Sequence, residues 1–175
     1  DPFALDHKSH WSVELSSRIE ASPVPSCDNL LTFIACYSGL FIALATRSGK
    51  MVWSYRTGDM IKCTPTLATV DKGRRPVVLC GSYDHNLYCW CQFSGKLLWR
   101  INISGSAIFA SPSIIDTERI LCCTLNGTVA SICIGDGVVN WKRSVSASSN
   151  PIFSTPMIVQ SNNSALIGTT DSAII

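Results

Sequence analysis

The side chains with which this chain could do chemistry are a scatter of acids, three histidines and nine cysteines. The acids are Asp71, Asp84, Asp116, Glu118, Asp136 and Asp171, and the histidines are His7, His10 and His85. Metal-assisted chemistry needs three or four donors within one small sphere, and such sets usually announce themselves by short spacings. No C-x-x-C pair occurs, His7 and His10 stand in a polar lead-in, and His85 stands in a turn. No serine occupies a G-x-S-x-G elbow, and no Gly-rich phosphate loop appears. Nearly all the acids fall in predicted turns, where Asp is favoured because its carboxylate bonds the nearby backbone. No catalytic, cofactor-binding or metal-ligating residue is assigned.

The cysteines read as structural. Cys27, Cys36, Cys63, Cys80, Cys89, Cys91, Cys122, Cys123 and Cys133 mostly lie within apolar runs such as FIACYS, VVLCGS and RILCCTL. There a free thiol behaves as a small hydrophobe. The adjacent Cys122 and Cys123 sit in a predicted strand, whose successive side chains point to opposite faces, so they are expected to point apart rather than form a disulfide. An odd count without framework spacing favours a reducing, cytoplasmic compartment. The sequons at Asn102, Asn126 and Asn162 keep a secretory reading open as the alternative.

Hydrophobic residues make up 46% of the 175 and charged residues 15%, so the chain has much to bury and little polar surface to spread over it. A net charge of +2 with scattered Lys and Arg gives no footprint for nucleic acid; Lys72, Arg74 and Arg75 form only a short solvated run. No apolar run approaches the roughly 18 residues of a membrane-spanning helix. The lead-in DPFALDHKSHW has no initiator Met and no signal-peptide pattern, which predicts a start inside a longer protein.

What must position these side chains is a repeat. SGKMVWSYRTGDMIKCTPTL, from Ser48, returns as SGKLLWRINISGSAIFASPSI, from Ser94. Trp11, Trp53, Trp99 and Trp141 are separated by 42, 46 and 42 residues, a period that belongs to propeller blades. Gly49, Gly95 and Gly137 stand four residues before three of them, and His7 holds that place before Trp11. A hydroxyl residue and a proline follow each: Ser22-Pro23, Thr64-Pro65, Ser111-Pro112 and Thr155-Pro156.

Between these markers lie paired apolar strands joined by Ser38-Gly39, Asn126-Gly127 and Asp171-Ser172 turns. Four short strands per unit are expected, with the Ser-Pro or Thr-Pro strand innermost and the Trp strand outermost. An outer strand near 11–17, blades at about 21–57, 62–103 and 107–145, and a cut-off blade at about 150–175 follow. The fold expected is an all-β propeller of four-stranded antiparallel blades, an incomplete arc of a larger ring, the alternative being a closed four-bladed ring in which the leading outer strand pairs with the trailing inner strands. The structural motif is Gly49, Trp53, Pro65, Gly95, Trp99, Pro112, Gly137, Trp141 and Pro156, with the indoles wedged between sheets.

With S-G-K-x-x-x-W, the turns and the following S/T-P in hand, the whole chain resembles the pyrroloquinoline quinone (PQQ) repeat, the blade of quinoprotein alcohol dehydrogenases. IACYSGLFIAL, VVLCGSYDHNLYCW and SGSAIFASPSII are most similar to the C-terminal propeller of the beta-alanine-activating, aminoadipate-semialdehyde-dehydrogenase-like acyl-activating enzymes. That resemblance implies adenylation and carrier domains elsewhere in the same chain, with the chemistry there. The segment is then expected to be a non-catalytic scaffold or regulatory module. Its candidate contact loops are Asp71 to Arg75, Tyr83 to Asn86 and Ser144 to Asn150.

The alternatives are an exported propeller scaffold or a piece of a quinone-dependent alcohol dehydrogenase. The latter would need PQQ, calcium, a converging carboxylate set and an aromatic plate, for which Trp90 in LYCWCQF is the only offer. Trp90 is expected to be core, and no cofactor is expected in this segment. Expected partners are the neighbouring adenylation and carrier domains or a protein on the rim, with no nucleic acid and no membrane.

Overall fold

An apolar strand needs neighbours for its backbone, and each repeat supplies four in succession. The computed structural model describes residues 11–145 and 150–170. In the first sheet, β1 (Val24–Pro25), β2 (Leu31–Ala35), β3 (Leu40–Ala45) and β4 (Met51–Arg56) pair antiparallel in chain order. The second sheet repeats this with β5 (Thr66–Val70), β6 (Arg75–Gly81), β7 (Asn86–Cys91) and β8 (Leu97–Asn102). The third has β9 (Ser113–Ile114), β10 (Arg119–Cys123), β11 (Thr128–Cys133) and β12 (Val139–Ser144). A hairpin of β13 (Met157–Val159) and β14 (Ser164–Leu166) follows, joined by a 3₁₀ turn.

Strands β5 and β9 touch, as do β9 and β13, so the strands that follow the S/T-P dipeptides line the inner side of the stack. The Trp-bearing strands β4, β8 and β12 form the outer edge. This is the predicted all-β stack of four-stranded blades. Residues 11–17, expected as an outer strand, form no ladder with any described residue, and Trp11 instead donates its indole N–H to the Thr46 carbonyl. The final Ala173–Ile175 segment and the Asp171-Ser172 turn lie outside the described residues.

The middle strands are buried on both faces, which is why they read as unbroken apolar runs rather than alternating ones. One core fills the space between the first and second sheets, from Phe33, Phe41 and Ile61 to Val78, Tyr88 and Trp90. A second lies between the second and third sheets, joining Cys89 and Trp99 to Cys122, Ala130 and Ile132. A third packs Leu121 and Val129 against Ile152, Ile158 and Ile167. Cys122 and Cys123 fall in different cores, pointing apart as strand geometry requires.

Each outer pair of strands carries a bulge at the same place. Ala43, Cys89 and Ser131 face Trp53, Trp99 and Trp141, and the register then slips by one residue. The extra residue twists the outer strand just before its indole. At the central hairpins, Gly39, His85 and Gly127 adopt φ of 77°, 74° and 78°. His85 therefore holds a left-handed turn position that glycine fills in the other two blades.

Candidate functional site

The repeated tryptophans reach across seams rather than into a pocket. Trp53 Nε1 donates to the Gln92 carbonyl at 2.8 Å, and Trp99 Nε1 donates to that of Ile134 at 2.9 Å. Trp11 does the same to Thr46 at 3.0 Å. Each acceptor lies three residues before the glycine of the next repeat. A Cβ on Gly49 would lie 2.5 Å from the Trp11 ring, one on Gly95 2.6 Å from Trp53, and one on Gly137 2.8 Å from Trp99. The glycine four residues before each Trp thus receives the indole of the preceding repeat, at a positive φ that only glycine adopts freely.

The inner strands are joined by hydroxyls. Thr66 Oγ1 donates to the Pro112 carbonyl at 2.7 Å, and Ser113 Oγ donates to that of Pro156 at 2.5 Å. The Ser22 amide donates to Thr64 Oγ1 at 3.2 Å. Hydroxyls and prolines here stitch consecutive blades. Pro65 is buried directly after Thr64.

The acids are engaged locally. Asp84 accepts from the Gly58 amide at 2.7 Å, the Tyr88 hydroxyl at 2.6 Å and the Asn86 amide at 3.0 Å. Burial raises its pKa, but these hydrogen bonds outweigh it and hold the carboxyl below its ordinary value. Asn126 holds the matching turn place in the third blade and accepts from Ser104 at 3.1 Å. Both turns thereby latch onto the exit of the preceding blade. Asp116 pairs with Arg119 at 2.6 Å, Asp71 pairs with Arg75 at 3.0 Å, and Asp136 caps its own turn through the Val138 amide. Glu118 sits exposed beside the Asp116 turn. Asp171, His7 and His10 lie outside the described residues.

Trp90 is wholly buried, stacked 4.6 Å from Phe41 and 5.2 Å from Tyr88, so it presents no plate to a quinone. Among the described residues no three His, Cys, Asp or Glu side chains converge. The described residues do not fit a calcium and quinone site. The buried thiols Cys89 and Cys123 are pushed up to about 12 by burial, and Cys63 and Cys80 lie 3.2 Å apart as free thiols.

One rim differs. The residue two before each S/T-P is Glu20, Lys62, Phe109 or Phe153, and these four positions form one line across successive blades. Glu20 bridges Arg18 at 3.0 Å and Lys62 at 3.6 Å. The Lys62 ammonium stands 5.1 Å from the Tyr37 ring centroid, 5.3 Å from that of Tyr83 and 5.9 Å from that of Phe109. Arg18 stacks over Tyr37 at 3.9 Å, and Phe109 meets Phe153 edge-on at 5.2 Å.

Tyr37, Tyr83 and Leu125 are placed by one repeated bond, their amides donating to Arg18, Met60 and Ala107 at 3.0, 2.9 and 2.9 Å. Burial raises the Tyr83 phenol, and Lys62 partly offsets this. Of the three candidate loops, Tyr83 to Asn86 belongs to this rim. Asp71 to Arg75 turns at the opposite end of its sheet, and 146–149 of the third loop lie outside the described residues. Sequence reading missed the rim line, although its register relative to each proline was a usable signal.

At the other end of the stack Trp141 is 43% exposed, against 9% for Trp99. It edges a cavity of about 490 Å³ with Ser131, Arg143, Val145 and Ile158. In the preceding seam Trp99 instead packs against Gly137 and bonds the Ile134 carbonyl of the next blade.

Stacked four-stranded sheets, inner hydroxyl stitches and Trp-on-Gly seams define a β-propeller. The family described as "Beta-alanine-activating enzyme, beta-propeller" matches residues 4–175, and the chain belongs to it. It is 34% identical over 150 residues to the beta-alanine-activating enzyme of Drosophila melanogaster, covering 85% of this chain and 14% of that one. The chain therefore spans a small part of that relative.

Among solved structures it is similar to BamB from Moraxella catarrhalis, with a TM-score of 0.69, 19% identity and coverage of 87% and 44%. The computationally designed Ika4 protein gives 0.74, 16%, and 93% and 91%. The C-terminal WD40 domain of Sif2 gives 0.73, 16%, and 90% and 45%. These likenesses concern the fold alone.

Proposed function

We propose that this propeller is a non-catalytic scaffold of an acyl-activating, AMP-forming acid–thiol ligase. It holds the adenylation and carrier domains of its own chain, or a protein partner, on the rim that carries Lys62. One observation supports this above the rest: the repeated side chains capable of chemistry are engaged in seams, stitches and latches, while the rim line changes from acid to base to aromatic between repeats. A surface that must only build stays the same between repeats, whereas one that must recognise has reason to differ. Membership of the beta-alanine-activating enzyme propeller family supports this reading, in which the adenylation chemistry resides outside this segment. The protein is read as cytoplasmic, in keeping with free thiols buried in several cores.

The test compares the intact enzyme with one lacking the propeller. ATP–pyrophosphate exchange, which reports adenylation, should persist without it, whereas transfer to the carrier or association with the partner should fall. Loss of exchange on removing the propeller, or dye-linked alcohol oxidation by the propeller itself when quinone and calcium are added, refutes the reading.

A further inference from the structure

We infer that the rim cluster of Arg18, Tyr37, Lys62, Tyr83, Phe109 and Phe153 binds a carboxylate carried on an acidic peptide segment with a neighbouring apolar side chain. The inference rests on the scaffold reading and names the chemistry of the partner. Three features carry it.

First, two cations face one carboxylate: Arg18 and Lys62 both pair with Glu20, so the cluster keeps one uncompensated positive charge. Asp84 and Asp59 keep their charges but bond the Gly58, Tyr88 and Met60 donors and form no ion pair with Arg18 or Lys62, whose described acidic partner is Glu20, and Arg56 donates to the Ser38 carbonyl at 3.0 Å.

Second, Glu20 is held loosely enough to yield. Its side chain is 35% exposed, Arg18 is 61% exposed, and the 3.6 Å contact with Lys62 is longer than a charge-assisted hydrogen bond. Lys62, at 19%, is instead fixed by three aromatic rings from three successive blades. A pre-positioned ammonium loses little freedom on meeting a second carboxylate, and partial desolvation strengthens that contact. Glu20 is in effect a resident occupant that an incoming carboxylate replaces.

Third, the line continues from charge into hydrocarbon. Phe153 is 46% exposed beside Phe109, which offers an apolar partner one blade along from Lys62. Acidic and apolar side chains on one extended segment would match that order.

The experiment titrates the full chain with the peptide N-acetyl-Glu-Phe-Asp-Leu amide, and with its Gln/Asn counterpart, by calorimetry and amide NMR. The acidic peptide should bind with shifts at Lys62, Tyr83 and Phe109, and the neutral one about tenfold more weakly. Glu20→Gln should tighten binding by about threefold to tenfold by removing the resident competitor. Lys62→Met, which keeps the stem and loses the charge, should weaken it about tenfold, and Lys62→Arg should restore most of the loss. Thermal melts of each variant check folding, and Tyr83→Leu gives a second route to the same loss if Lys62→Met melts early.

Equal binding of both peptides, no tightening in Glu20→Gln, or shifts mapping to the opposite end of the sheets overturns the proposal. If the peptide fails while the neighbouring domains still associate equally with wild type and Lys62→Met, the acidic partner is wrong and the scaffold reading stands.

Discussion

The outer seam and the inner rim use the same repeat in opposite ways. Along the seam, Trp11, Trp53 and Trp99 meet Gly49, Gly95 and Gly137 with one geometry and one hydrogen bond, three times over. Along the rim, a single register position becomes Glu20, Lys62, Phe109 and Phe153. Sameness at the seam follows from steric demand, since an indole against a backbone tolerates no Cβ. Variation at the rim is permitted by the absence of that demand, because solvent lies on one side, and recognition gives it a reason.

The strongest way to break the contrast is to give the seam a side chain. Gly95→Val adds branched carbon within contact of the Trp53 ring at a φ of 67°, and should destabilise by about 3 to 5 kcal/mol in urea unfolding. Trp53→Ala should relieve part of that strain, so a double-mutant cycle should show coupling of about 1 kcal/mol or more. Additive effects would mean the indole and the glycine do not share a seam.

Trp99→Ala should cost about 3 to 5 kcal/mol, whereas Trp141→Ala should stay within about 1 kcal/mol, because Trp141 is 43% exposed and Trp99 is 9% exposed. Equal losses would erase the distinction between a filled seam and an open one.

A smaller effect is expected at the Asp84 latch. Its folded pKa lies below the unfolded one, so its contribution is complete above the unfolded value and disappears as pH falls through the folded value. Stability should therefore drop from about pH 4 downward, and Asp84→Asn should flatten that drop while lowering stability near neutrality. An unchanged acid limb would show that the carboxylate is not shifted. Smallest of all, Lys62→Met should alter stability by less than about 1 kcal/mol, since the ammonium is a partly exposed rim group. A large loss there would make the rim another seam.

The seam was legible in the sequence because its residues are identical from repeat to repeat and their spacing is the period itself. Its direction was not: Gly95 stands four residues before Trp99, yet it receives Trp53, and a period alone cannot distinguish a residue's own blade from the next. The inner position of the S/T-P strands was legible from small side chains and proline, but the stitch from Thr66 to the Pro112 carbonyl needed coordinates. The strand expected at 11–17 has no ladder among the described residues, since a strand is defined by the neighbour that completes its hydrogen bonds and not by its own side chains. Glu20, Lys62, Phe109 and Phe153 escaped notice because a search for likeness passes over the register where repeats disagree.

The offset between sheet and seam bears on how such chains can be shortened or lengthened. Every sheet ends in a key and begins its outer turn with a lock, and all three described pairs mate alike. Excising one full period, from one Trp to the next, would bring a key onto an equivalent lock, while trimming at a sheet boundary would strand one of each. Circumference in this architecture is thus free to change in whole repeats, and only the rim would register which repeat had gone.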